Sequence, residues 1–177
     1  MTYPPKMKGR VAELFPSSFK EGSVTQFQFR QAMQAAGHRV ESASAREDMA
    51  RHIDFWTWIN GKRYGIDVKR MKRMSRAWEQ QNEYTCLELH GAHPRNKGWL
   101  FGGHADLIAF EQEHSFLLVW RERLIDLVEF RVSRERVAWS ALAVYKVYSR
   151  RDNEEITWVE TGLLRHPWVL FYEIEKA

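Results

Sequence analysis

Cysteine is nearly absent from this chain. Cys86 stands alone among 177 residues, so a framework of intrachain disulfides is excluded. No apolar run approaches the roughly 20 residues of a membrane-spanning helix, and no basic, apolar leader of the signal-peptide kind opens the sequence. A cytoplasmic, intracellular protein is therefore expected. Repeats, low-complexity tracts and linkers are also missing, which points to one domain. Acid is scarce where base is dense: Lys62 to Arg76 holds seven basic residues and a single acid, Asp67. What is plentiful is core-forming material, with 44% hydrophobic residues and 8 Trp, while the net charge of +4 is compatible with an anionic partner.

The pattern predicts alternating helices and strands. Residues 1–22 read as an irregular arm with Pro4, Pro5 and Pro16. Ser23 reads as the cap of a helix over 24–36, with Phe27, Met33 and Ala36 inward and Gly37 as the stop. A short strand over 38–42 follows, then a turn capped by Ser44 that contains Glu47 and Asp48. Residues 69–82 read as the end of a strand and a basic amphipathic helix, 83–89 as a strand, 91–103 as a loop, and 106–110 and 115–120 as strong strands. Residues 121–130 carry the paired apolar positions of a helix, and 141–149 with 156–160 read as a late hairpin. The economical fold is α/β, a mixed central sheet flanked by helices. Its core is expected over 23–110, with 111–177 as a C-terminal extension.

The most informative stretch runs from His52 to Lys69. Asn60-Gly61 is a two-residue hairpin signal, because both residues tolerate the positive φ of a type I′ turn. That loop pairs Ile59 with Lys62, and by the same register Asp54 with Asp67 and His52 with Lys69. Side chains alternate along strands, so His52, Asp54, Asp67 and Lys69 are expected on one face, together with Trp56. Opposed carboxylates repel each other and favour a cation between them. A lysine beside them suits phosphate chemistry, and Lys72, Arg73 and Arg76 on the following helix are expected to contact phosphates.

Ile53-Asp54 followed by Asp67-Val68-Lys69 resembles the PD-(D/E)XK nuclease superfamily, the first pair standing for the "PD" and the second set for "(D/E)xK". Gln80-Gln-Asn-Glu-Tyr84 is similar to the Q-x-x-x-Y element of the RecB-like exonuclease branch. Lys8-Gly-Arg-Val-Ala-Glu13 resembles the opening of archaeal junction resolvases, and the tract from Gly98 to Phe110 looks like a segment of small phage-encoded relatives. The resemblance implies a restriction-endonuclease-like core and catalysis by Asp54, Asp67 and Lys69. It implies Mg²⁺ (or Mn²⁺) held by the two carboxylates and the Val68 carbonyl. It also implies a nucleic-acid substrate, expected to be DNA, contacted by Gln80, Tyr84, His52 and Trp56 besides the basic residues. A homodimer is compatible with it. Many members add a glutamate from the first helix. Residues 24–36 contain no acid, which leaves Glu13, or else Glu41, Glu47 or Asp48, for that role.

Two other readings use the same residues. A non-catalytic nucleic-acid-binding protein on this fold would keep the basic residues but not the acid pair and lysine. Cys86, His90, His93 and His104 have spacings that zinc accepts, although Cys86 falls on a strand and His93 beside Pro94. Trp56, Trp58, Trp78 and Trp99 suit core packing, with Trp56 best placed to border a substrate groove.

Overall fold

The computed structural model describes residues 17–75, 79–91, 97–150, 154–169 and 171–176. Asn60 and Gly61 adopt φ of 51° and 77°, and the turn they make joins β2 (Phe55–Ile59) to β3 (Lys62–Lys69) in the expected register, from Ile59↔Lys62 to Phe55↔Ile66. β1 (Val40–Ser42) lines the other edge of β2. After β3 the chain crosses over through β4 (Tyr84–His90) and the short helix α3 (Gly98–Gly102), then returns as β5 (Leu107–Glu111) parallel to β3. β6 (Ser115–Trp120) and β9 (Phe171–Glu175) add antiparallel to β5, giving a six-stranded mixed sheet in the order β1-β2-β3-β5-β6-β9. A second sheet of three strands has the order β4-β8-β7, with β7 at Tyr148–Ser149 and β8 at Glu155–Glu160.

Helices close both faces of the larger sheet. α1 (Ser17–Ala35) lays Phe29, Ala32 and Met33 against Phe55, Ile66, Val68, Leu107, Ala109, Phe116 and Leu118. The other face presents Ile108, Phe110, Leu117 and Val119 to Leu87 and Leu89 of β4, Leu100 of α3, and Leu124, Leu127 and Val128 of α4 (Arg121–Arg131). The near-continuous apolar runs of β5 and β6 follow from this, since a strand covered on both faces has no wet side. No helix among the described residues is long and apolar enough to cross a membrane.

Several expectations need correction. The first helix begins by Ser17, so Ser23 lies inside it and does not cap it, and its buried stripe is Phe29, Ala32 and Met33, whereas Phe27 is 61% exposed and Ala36 is exposed as well. Positions 29, 32 and 33 have the i, i+3, i+4 spacing that shares one helical face; position 27 falls on the opposite side. Ser44 does cap, with a full capping box to Glu47, but it opens a seven-residue helix, α2 (Ala45–Arg51), instead of a turn. The basic stretch after β3 is not helical at residues 70–75 or 79–83. There, side chains take over the backbone groups: the Met71 N–H donates to Glu111, Gln80 donates to the Met71 carbonyl, and the Tyr84 N–H donates to Gln81. The expected loop at 91–103 contains α3, and the late hairpin is short, with a 3-10 turn at Ser140–Leu142 and two residues in β7.

Candidate functional site

The β2–β3 ladder stops at Phe55↔Ile66, one residue short of Asp54. Asp54 still donates its N–H to the Ile66 carbonyl at 2.8 Å, while its carbonyl accepts from Ala43. Its carboxylate then fills the place of the missing ladder acceptor: Oδ2 accepts the Val68 N–H at 2.7 Å. Oδ1 accepts the side-chain amide of Gln26, on α1, at 2.7 Å. A residue at the end of a strand is thereby fixed by two elements, and its carboxylate sits against the backbone between Asp67 and Lys69.

Asp67 is 3% exposed within β3. Lys69, the last residue of that strand, places Nζ 2.7 Å from Asp67 Oδ1 and 5.0 Å from the centre of the Trp99 ring. Asp67 Oδ2 is buried and has no hydrogen-bond partner among the described residues. An orphaned carboxylate oxygen in a protein interior is costly and unusual. Asp54 feels the same excess of negative charge. Burial first, and Asp67 second, push its carboxyl up to about 7, against the opposing pull of the Val68 N–H and Lys69.

The other candidates divide. His52 is not a ladder partner of Lys69. It is the left-handed C-cap of α2, with φ of 53° and its N–H directed to the Asp48 and Glu47 carbonyls. Its half-buried imidazole is held below its usual pKa, by burial and then by Lys69, so it does face the site. Trp56 is half-buried on the Asp67 face of the hairpin, with the Arg63 guanidinium 3.8 Å above its ring. Lys72 and Tyr84 line one small cavity with Lys69; Gln80 and Arg73 do not line it. Arg76 and Glu13 lie outside the described residues, as do His93 and Trp78. Among the alternatives for a helix glutamate, Glu41 pairs with Arg39 and Glu47 is spent in its capping box. Asp48 is close enough to raise the carboxyl of Asp54.

No group of three or more His, Cys, Asp or Glu that could hold a metal occurs among the described residues. For the zinc reading this removes Cys86, His90 and His104 as a shared site. The Cys86 thiol is pushed up to about 11 by burial, and His90 Nδ1 is within 2.7 Å of the Gly91 carbonyl. A buried thiol of that kind is a poor source of thiolate.

Two residues of the site were not read from the sequence. Gln26 sits where an acid was sought, and an amide carries no charge signal. Glu88, on β4, has its carboxyl raised by burial first, with Glu154 adding to it; Lys69 and the Trp99 N–H pull the other way. Its signal was present: in β4, Thr85, Leu87 and Leu89 are buried while Tyr84, Cys86, Glu88 and His90 alternate with them.

No family model matches the chain, and no curated protein matches it. Among solved structures, a bacterial homing endonuclease, I-Ssp6803I, aligns with 63% of this chain and 74% of its own, at a TM-score of 0.47 and 15% identity.

Proposed function

We propose that this chain is a metal-dependent nuclease that hydrolyses phosphodiester bonds, most naturally in DNA, at the site formed by Asp54, Asp67 and Lys69. The observation that carries the reading is the buried, unpartnered Oδ2 of Asp67 beside a second carboxylate whose proton affinity is raised. Two acids in that state fit a hard divalent cation, and Mg²⁺ or Mn²⁺ prefers one or two carboxylates with water and phosphate oxygens completing its shell. Asp54, Asp67 and the Val68 carbonyl would hold it. When bound, such a cation lowers the pKa of a water and offsets charge at the phosphate.

The chain's own residues supply the rest. Gln26 and the Val68 N–H hold the Asp54 carboxylate in place before any ligand arrives. Asp67 Oδ1 anchors the Lys69 ammonium and leaves Oδ2 unengaged. Lys69, part-buried against Trp99, directs a compact positive charge to where charge develops on the phosphoryl oxygens. Lys72 extends positive charge along the same cavity wall.

The test is a panel of labelled single-stranded, duplex and branched DNAs, with matched RNAs, incubated with Mg²⁺, Mn²⁺ or EDTA. Cleavage of at least one DNA with either cation, and none in EDTA, supports the proposal. No cleavage of any member by either cation overturns it.

A further inference from the structure

The hairpin face that carries Asp67 continues away from the site as a row of alternating arginines and tryptophans. β1, β2 and β3 lie side by side, and their register places Glu41, Trp56 and Gly65 in one row. One step toward the hairpin turn Trp58 pairs with Arg63, and Arg39, just before β1, lies over the Trp58 ring. The stacking is tight: Arg39 lies 4.2 Å from the centre of the Trp58 ring, and Arg63 lies 3.8 Å from Trp56 and 5.7 Å from Trp58. Arg51, at the end of α2, faces Trp56 from 5.9 Å.

We infer that Arg39, Arg51 and Arg63, steadied by Trp56 and Trp58, form a rail for the sugar-phosphate backbone of one nucleic-acid strand entering the site. The inference rests on the nuclease reading and assigns that reading a substrate-guiding element which no motif marks. Three observations support it. The guanidiniums are exposed but pre-oriented, and a planar fork stacked on an aromatic face keeps its donors pointing outward for phosphate oxygens. The acids of this face are already engaged: Glu41 accepts from Arg39 Nε at 3.0 Å, and Glu47 accepts the Ser44 N–H and hydroxyl at 2.8 Å each. Among the described residues neither Arg51 nor Arg63 is held in an ion pair, although Arg63 is near enough to Glu47 to help lower its carboxyl. The rail also points at the site. Arg63 is four residues from Asp67 along one strand, roughly 13 Å at about 3.3 Å per residue.

The experiment measures binding and cleavage in the same preparations. A fluorescent single-stranded DNA series of increasing length is titrated, in EDTA, with the wild type, an Arg39→Gln/Arg51→Gln/Arg63→Gln triple variant, and the matching triple lysine variant. The glutamine variant is expected to bind the longer strands at least about tenfold more weakly, with a log–log salt slope smaller by about 1.4, since Arg39 is already paired with Glu41 and each of the two other lost phosphate contacts removes about 0.7 on single strands. The lysine variant should recover the slope, and strands too short to reach Arg63 should not distinguish the three proteins. With Mg²⁺ the glutamine variant should need more of the longer DNA than the wild type to reach half its maximal cleavage rate. Unaltered affinity and slope in a glutamine variant that melts like the wild type overturn the rail and leave the nuclease reading standing, provided the wild type cleaves. A wild type that binds with an arginine-dependent slope but never cleaves overturns the nuclease reading and keeps the rail. Absence of both binding and cleavage in the wild type overturns both.

Discussion

The carboxylate of Asp54 accepts the backbone N–H of Val68 at 2.7 Å, the one residue that separates Asp67 from Lys69. That bond ties the two halves of the site together where the strand ladder has already ended. It explains how an acid outside a strand is held as firmly as one inside it, and it sets the terms for what substitutions and pH should do.

Asp54 governs the pH dependence of the metal-free protein. Its folded pKa of about 7 lies above the ordinary 3.8, so the native state binds the proton more tightly than the unfolded chain. The resulting stability is fully present below about pH 4 and is lost as pH rises through about 7. In EDTA the melting temperature should therefore fall between those limits beyond what other groups contribute, and Asp54→Asn should flatten that decline. An identical pH profile in wild type and variant would contradict the assignment.

A cation between Asp54 and Asp67 should raise the melting temperature by mass action, in steps that grow with Mn²⁺ concentration. The shift should vanish in an Asp54→Asn/Asp67→Asn double variant and persist in Cys86→Ala. Loss of the shift in Cys86→Ala, with retention in the double variant, would move the metal to a thiol site.

Gln26 is a positioning residue, acting through Asp54 at 2.7 Å. Gln26→Ala should cost about 1.5–3 kcal/mol in metal-free stability where Asp54 is ionised, the usual worth of a hydrogen bond to a charged group. Gln26→Glu should destabilise the metal-free protein further, by setting a third carboxylate against Asp54, yet show a larger Mn²⁺-induced melting shift than the wild type. Thermal melts with and without Mn²⁺ check both; a smaller shift in Gln26→Glu would place Gln26 outside the cation's reach.

Gly103 is where the backbone leaves no room. A Cβ there would stand 2.3 Å from the Trp99 carbonyl oxygen and 3.5 Å from His52 Cβ. Gly103→Ala must displace Trp99, whose ring lies over Lys69, so it should lower the melting temperature by on the order of 5–10 °C and reduce cleavage as well. A variant with wild-type melting would show that this turn relaxes freely.

Much of the site was legible because a hairpin obeys arithmetic. Asn60-Gly61 fixes the turn, and the turn fixes the register from Ile59↔Lys62 to Phe55↔Ile66, which carries the chain to within one residue of Asp54; the bond from the Val68 N–H, not a ladder pair, then sets the Asp54 carboxylate beside Asp67 and Lys69. The same arithmetic failed at His52, because the ladder ends before it and a helix cap intervenes; alternation carries no information past the last paired residue. Strands β5 and β6 were readable from their dense apolar runs. The second sheet was not, since β4 and β8 lie about 70 residues apart and local pattern does not specify long-range pairing. The basic stretch after Lys69 has helical composition, yet Glu111, Gln80 and Gln81 satisfy its backbone, and such tertiary bonds override propensity. Gln26 was invisible for a simpler reason: its contact is made by an amide, which has no charge to mark it.

The central claim is that Asp67 and Lys69 carry phosphodiester hydrolysis, and single-turnover cleavage tests it most directly. Wild type, Asp67→Asn, Lys69→Ala and Lys69→Arg are mixed in excess with a labelled DNA that the wild type cuts in Mg²⁺. Each variant should lose at least about a thousandfold in rate, Lys69→Arg included, because a broad guanidinium does not replace a compact ammonium beside Asp67. All should keep DNA binding in EDTA within a few fold. Cleavage by Asp67→Asn or Lys69→Ala at rates near the wild type would contradict the account.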